Sequence, residues 1–94
     1  MTLHDEKERV DRGHKARAII ENPIYAEAVQ LLRETLVREW LATRLGQQDE
    51  RERVWALRQM LERLNAYFEN TAKTGELTAR NLAAEPNKSR FRII

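Results

Sequence analysis

Two long stretches with matching apolar seams, separated by the short polar break Gly46-Gln47-Gln48-Asp49, constrain this chain more than any other feature. In both stretches apolar residues recur at spacings of three or four, which places them on one face of a helix. The seam residues are Tyr25, Val29, Leu32, Leu36 and Trp40 in the first stretch and Val54, Leu57, Leu61, Leu64 and Phe68 in the second. Because the break is short, the sequence predicts an antiparallel helical hairpin.

The composition agrees with a small helical protein. The chain has 94 residues, of which 41% are hydrophobic and 34% charged, with only 3 glycines and 2 prolines. A chain of this size is near the lower end of what can bury an adequate core alone, so we expect oligomerisation. The absence of cysteine excludes disulfides and thiolate metal sites. No apolar run approaches membrane-spanning length and no leader pattern is seen, so we expect a cytoplasmic protein without membrane contact.

Residues 1–22 are predicted to form a charged helical arm. Its helix spans Asp5 to Ile20, has few apolar positions, and contains Gly13, which costs about 1 kcal/mol relative to alanine. We therefore expect an arm that orders only by docking against another surface. Asn22 is a good helix cap and Pro23 is favoured at a first helical position, so the next helix is predicted to begin at Pro23.

Residues 23–74 are predicted to form the hairpin. The first helix should run to about Leu45 and end at Gly46, which would adopt a left-handed cap conformation. Asp49 is predicted to cap the next helix, which should begin near Glu50. That helix is expected to continue past its apolar seam until Gly75 ends it.

Residues 75–94 are predicted to form a short fourth helix, ended by Pro86, and an extended basic tail. From Asn87 the tail carries three basic residues and no acid, although the net charge of the whole chain is only +2. Such a tail can contact phosphate groups or an acidic protein, and a solvated terminus is the alternative. The predicted contacts to nucleic acid or an acidic partner are Lys88, Arg90 and Arg92 in the tail and Lys15 and Arg17 in the arm. We thus predict an all-α single domain.

The apolar content exceeds what one helix pair can bury along a single seam. Trp40 and Trp55 could stack near the loop end of the hairpin, and simple core positions are the alternative. Large exposed apolar patches usually mark an interface. The predicted partner interface comprises Val37, Leu41, Trp55, Met60, Tyr67, Phe91 and Ile93.

No residue pattern indicates catalysis, a cofactor or a metal site. His4 and His14 do not have the spacing of a paired metal ligand, and Ser89 has no histidine or acid placed to activate it. The three glycines are widely separated, which excludes a glycine-rich phosphate loop. Acids such as Glu34 and Glu39 are interleaved with arginines, as on a solvated helix face. The sequence therefore predicts a protein that is not an enzyme.

A resemblance to a known family rests on motifs between residues 17 and 77. They are Arg17-Ala18, Glu21-Asn22-Pro23, Ala28, Leu31, Trp40-x-x-Thr43, Arg51-Glu52-Arg53-x-Trp55 and Gly75-Glu76-Leu77. With them the chain resembles small helical proteins encoded among the DNA-packaging and head genes of tailed bacteriophages. More distantly, its hairpin is similar to the oligomerisation hairpin of small terminase subunits. The arm before Asn22 is too short for the helix-turn-helix that many small terminases carry.

This resemblance implies a non-enzymatic assembly protein of phage DNA packaging or head morphogenesis. It implies a ring or other homo-oligomer built from hairpins, with the C-terminal tail docked on a larger packaging or head protein. The arm would offer Lys7, Arg9, Arg12, Lys15 and Arg17 to double-stranded DNA. The expected location is the cytoplasm of a bacterial host cell or the virion. Two alternatives remain open: a small adaptor or inhibitor of a host or phage protein, and a nucleic-acid-binding accessory protein.

Overall fold

Within the part of the chain that the structure describes there are three helices: α1 (Leu3–Ile20), α2 (Pro23–Leu41) and α3 (Gln48–Ile93). The structure, a computed structural model, describes residues 2–93 and the side chains of residues 2–84. No strand occurs in this described range, and the predicted all-α class is confirmed. The chain divides into two compact units, one of Met1–Ile19 with Phe68–Ile94 and one of Ile20–Tyr67. Helix α3 contributes residues to both.

The start of α2 is confirmed. The side-chain oxygen of Asn22 accepts hydrogen bonds from the backbone N–H groups of Ile24 at 2.9 Å and Tyr25 at 3.3 Å. Pro23 occupies the first helical position, where its missing N–H is not needed. This boundary depends on local chemistry alone, which is why the sequence predicts it correctly.

The end of α2 differs from the prediction, because the helix stops at Leu41 and not near Leu45. The Trp40 carbonyl, at this helix end, accepts from the Thr43 backbone N–H at 3.1 Å and from the Thr43 hydroxyl at 2.6 Å. Gly46 has the expected left-handed backbone, with φ of 92°, but it lies in the loop and does not cap the helix.

The start of α3 also differs, because the helix begins at Gln48 and not near Glu50. The backbone N–H of Arg51 already donates to the Gln47 carbonyl at 3.1 Å. Asp49 and Glu50 therefore lie in the first turn, where the positive end of the helix dipole stabilises their negative charges. Asp49 is thus not the cap of this helix.

Gly75 does not end a helix, because α3 continues through this position, and residues 75–93 form no separate fourth helix. Gly75 lies against Gly13 of α1, and a Cβ atom built on Gly75 would stand 2.7 Å from the Gly13 Cα. The buried residues of α1 and of the described part of α3 after Phe68 are all of threonine size or smaller: Gly13, Ala16, Ala72, Gly75 and Thr78. Arg17 and Glu76 form an ion pair between the same two helices. The glycine permits a close helix approach.

The predicted stop at Pro86 and extended tail also differ from the backbone, which is helical to Ile93. The prediction rests on the cost of proline in a helix interior, about 3 kcal/mol. Extending an existing helix needs no new nucleus, which favours continuation. The side chains of residues 85–94 lie outside the described part, so the assignments at Lys88, Arg90, Phe91, Arg92 and Ile93 remain predictions.

In the unit Ile20–Tyr67, α2 packs against the first part of α3. Val29, Leu36 and Val54 are buried there, with 7, 9 and 3% of their surface exposed. The Tyr25 hydroxyl donates to Asn65 Oδ1 at 3.1 Å, and Arg51 Nε donates to Thr43 Oγ1 at 2.8 Å.

A candidate docking surface on residues 20–67

Most large apolar side chains of this unit are exposed. No large side chain in the described part of the chain is fully buried. The large hydrophobic residues of the unit with more than a third of their surface exposed are Ile24, Leu31, Leu32, Val37, Trp40, Leu41, Leu45, Trp55, Leu57, Met60, Leu64 and Tyr67. Exposed apolar surface on this scale is typical of an interaction site.

One group of these residues forms a cleft between α2 and α3. The cleft has a volume of about 310 Å³ and is lined by Leu36, Val37, Trp40, Leu41, Val54, Trp55 and Arg58. We call it the tryptophan cleft. Val37 and Leu41 are four residues apart on α2, and Trp55 and Arg58 are three apart on α3, so each pair shares a helix face. The buried Leu36 and Val54 also line it, so the cleft reaches the apolar contact between the helices.

Trp40 is held at the loop end of the cleft by a cation. The Arg51 guanidinium carbon lies 5.7 Å from the centre of the Trp40 ring, within the range of a cation–π interaction. Arg51 is itself anchored by its hydrogen bond to Thr43. These contacts favour one position of the indole, although 41% of the residue surface is exposed.

An ion pair between Arg33 and Glu62 joins α2 to α3 beyond the apolar part of the cleft. Arg33 Nε donates to both Glu62 oxygens at 3.1 Å, and its Nη2 donates to Oε1 at 2.6 Å. This hydrogen bonding holds the pKa of Glu62 below its ordinary value, against the effect of burial and with help from the charges of Arg33 and Arg58.

Arg58 connects the tryptophan cleft to a second, polar groove. That groove has a volume of about 440 Å³ and is lined by Gln30, Arg33, Glu34, Val37, Arg38 and Arg58. Within the part of the chain that the structure describes, no hydrogen bond or ion pair joins Arg58 to a carboxylate. The two Glu62 oxygens, one turn away, already accept from Arg33.

A second group of exposed residues forms a stripe on α3. Its members are Leu57, Met60, Leu64 and Tyr67, and they expose 44, 61, 52 and 55% of their surface. We call this group the outer stripe. The spacings of three, four and three place all four residues on one face, as in a coiled-coil helix.

The predicted seam residues lie at different depths. Val29, Leu36 and Val54 are buried, and Tyr25, Leu61 and Phe68 are half-buried. Leu32, Trp40, Leu57 and Leu64 are exposed. The contact between α2 and α3 therefore buries fewer residues than the two predicted seams contain, since a helix pair can cover only part of each apolar face.

The predicted interface residues in the described range are all exposed. Val37, Leu41 and Trp55 line the tryptophan cleft, and Met60 and Tyr67 belong to the outer stripe. The two basic arm residues proposed to contact nucleic acid both have acidic partners: Lys15 pairs with Asp11 at 3.0 Å, and Arg17 pairs with Glu76.

Arg33 and Glu62 were not predicted from the sequence as members of a site, and Arg58 was predicted only as a weak alternative contact to nucleic acid, with Arg51 and Arg53. The Arg33–Glu62 pair joins two different helices, and no short-range spacing in the sequence predicts a contact between residues so far apart. Arg58 and Glu62 are four residues apart, which is a local signal, but this spacing is common on solvated helix faces. Among residues 2–84, no group of three or more histidine, aspartate or glutamate side chains could hold a metal ion.

Helices long and apolar enough to cross a membrane are absent from the described residues. No protein-family model, curated protein or solved structure matches the chain.

Proposed function

We propose that this chain is a non-enzymatic assembly protein that self-associates through the outer stripe. The observation that carries the proposal is the exposure of Leu57, Met60, Leu64 and Tyr67 on one helix face. Burial of apolar surface is the main favourable contribution to protein association. A second copy of the stripe offers the same kind of surface, which makes self-association the simplest way to cover it.

The spacing of the outer stripe suits a two-fold symmetric contact. Spacings of three, four and three read the same from both ends of the stripe. An antiparallel copy of α3 would therefore place Leu57 opposite Tyr67 and Met60 opposite Leu64, twice, across a two-fold axis. Larger assemblies, including the ring implied by the small terminase resemblance, would need a further contact.

The proposed biological setting is phage DNA packaging or head morphogenesis. It rests on the resemblance of residues 17–77 to small helical packaging and head proteins. In this setting a larger packaging or head protein would bind the C-terminal segment, and double-stranded DNA would contact its basic residues. The acidic partners of Lys15 and Arg17 favour the C-terminal segment over the arm as the DNA contact.

The experiment that tests self-association compares two lysine substitutions on neighbouring residues. Met60→Lys adds a charge within the outer stripe, whereas Gln59→Lys adds the same charge one residue outside it. The helix propensity of lysine is similar to those of methionine and glutamine, so neither substitution should change the stability of the helix itself. We expect Met60→Lys to lower the solution mass to that of one chain with unchanged helicity, and Gln59→Lys to keep the mass of the parent.

The measurements are light scattering after size exclusion, at low and physiological salt, and circular dichroism. A parent protein that is monomeric at every concentration would contradict the proposal. An unchanged mass for Met60→Lys would show that the stripe is not the interface.

The tryptophan cleft favours a second candidate function, an adaptor that binds another protein, since self-association through the outer stripe does not use this surface.

A further inference from the structure

The tryptophan cleft combines an apolar floor, two indoles and one cation, and self-association through the outer stripe leaves it uncovered. Trp55 and Leu41 expose 59 and 75% of their surface there. All its lining residues except Arg58 are apolar, and no acid lines it. A volume of about 310 Å³ is at the lower end of the range for ligand sites. It suits a few side chains.

We propose that the tryptophan cleft binds an amphipathic helix of a partner protein, with a carboxylate of that helix paired to Arg58. This inference goes beyond self-association and does not depend on it. A groove between two helices is a common receptor for a third helix, which inserts apolar side chains one turn apart. Leu41 and Val37 are separated by one turn of α2, about 6 Å, which matches that periodicity.

Charge complementarity identifies the chemistry of the partner. At the end away from the loop, the cleft meets the polar groove at Val37 and Arg58. Among the residues that line this groove, the cations Arg33, Arg38 and Arg58 outnumber the single acid Glu34, which already accepts from Gln30 at 3.1 Å. A helix that fills the cleft with apolar residues would carry its next turn past this cationic end.

Arg58 is the cation best placed to bind that carboxylate. Arg33 is engaged by Glu62 through three hydrogen bonds, and Arg38 donates to Thr35 Oγ1 at 3.1 Å. Arg58 makes no such bond to a carboxylate within the described residues, and it also lines the apolar cleft. A planar guanidinium binds a carboxylate through two parallel hydrogen bonds, which adds orientation to affinity.

The cleft contains its own optical reporter. The chain has 2 tryptophans, and both of them, Trp40 and Trp55, line the cleft. Transfer of these exposed indoles from water into an apolar contact shifts their fluorescence emission to shorter wavelength. Intrinsic fluorescence therefore reports occupation of this cleft without any label.

The test uses two synthetic, tryptophan-free helical peptides as probes. The first carries leucines at positions i, i+4 and i+7 and a glutamate one turn further along, and the second carries glutamine in place of that glutamate. We expect the glutamate probe to shift the emission of the full chain. Arg58→Gln should weaken its binding about tenfold, which corresponds to about 1.4 kcal/mol, while the glutamine probe binds both proteins equally.

Three controls distinguish binding in the cleft from a general effect of charge, a loss of folding and a change in oligomeric state. Arg63→Gln removes an exposed arginine of α3 outside the cleft and should leave both affinities unchanged. Circular dichroism should show equal helicity for parent and variants. Met60→Lys should bind the probes like the parent, so a failure of self-association would not be confused with a failure of the cleft.

Several outcomes would overturn the inference. One is the absence of an emission shift with either probe, and another is an equal loss of affinity for both probes in Arg58→Gln. A third is an emission shift with protein concentration alone, in parent and Met60→Lys alike, which would show that a second copy occupies the cleft.

Discussion

At the scale of single residues, the Arg33–Glu62 ion pair makes the stability of the chain sensitive to acid. The hydrogen bonds from Arg33 lower the pKa of Glu62, so the folded state favours the charged carboxylate more than the unfolded chain does. This stabilisation is present above the unfolded pKa, about 4.3, and is lost as the pH falls through the lower folded value.

We expect Glu62→Gln to reduce this acid sensitivity. The difference in melting temperature between parent and Glu62→Gln should shrink as the pH is lowered from 6 to 3. The Glu62 side chain is 37% exposed, so solvent screening limits the contribution to at most about 1 kcal/mol. Thermal melts followed by circular dichroism measure it. Glu27→Gln removes the same charge from an exposed site and should show a smaller dependence on pH; equal behaviour of the two variants would contradict the assignment.

Gly75 gives a second prediction at this scale. Gly75→Ala should destabilise the chain by about 1–3 kcal/mol, because the new Cβ would meet the backbone of Gly13 and overpack the crossing. In a helix without this contact the same change would stabilise by about 1 kcal/mol. Thr74→Ala, at the exposed neighbouring position, is the matched control for thermal unfolding. A neutral or stabilising Gly75→Ala would contradict the close approach.

At the scale of helices, the first turn of α2 depends on one side chain. We expect Asn22→Ala to lower the free energy of unfolding by about 1 kcal/mol, because two backbone N–H groups lose their acceptor. Asn22→Ser should retain most of the stability, since serine is an equally good cap. Urea unfolding at neutral pH measures both. Equal losses in the two variants would show that another group caps this helix.

The same scale shows which features of the fold the sequence could predict. The start of α2 was predictable because Asn22 and Pro23 act on their immediate neighbours. The end of α2 was not, because a turn at Thr43, whose backbone N–H and hydroxyl both donate to the Trp40 carbonyl, follows the helix before Gly46 is reached. The prediction that Gly75 ends a helix was wrong, because a glycine is required there by the close approach of Gly13, which lies on another helix.

At the scale of the whole molecule, the all-α class and the surplus of apolar surface were predictable from composition and periodicity. The distribution of that surplus was not. The spacing of Leu57 along the sequence is the same whether its side chain faces α2 or solvent. Only the packing of α2 against α3 decides between these two orientations. The membership of Arg58 in the tryptophan cleft likewise requires α2 and α3 to be in place.

The basic C-terminal segment gives a prediction for the whole chain. If it contacts DNA, the affinity for double-stranded DNA should fall steeply with salt, and alanine at Lys88, Arg90 and Arg92 should reduce the magnitude of the slope by up to about 3. Fluorescence anisotropy with labelled duplex DNA measures this. Alanine at Lys15 and Arg17 is the comparison and should change the slope less. No binding at low salt would exclude the DNA contact and leave self-association untouched.

The close approach of Gly13 and Gly75 also has a consequence for how this sequence can diverge. A larger side chain at one position is usually tolerated when a facing side chain becomes smaller. Here a Cβ on either glycine would meet the main-chain atoms of the other, and no substitution can remove main-chain atoms. Neither position can compensate for a change at the other. In any relatives that retain this crossing, we expect glycine at both positions together, without the paired exchanges of large and small residues by which ordinary core contacts drift.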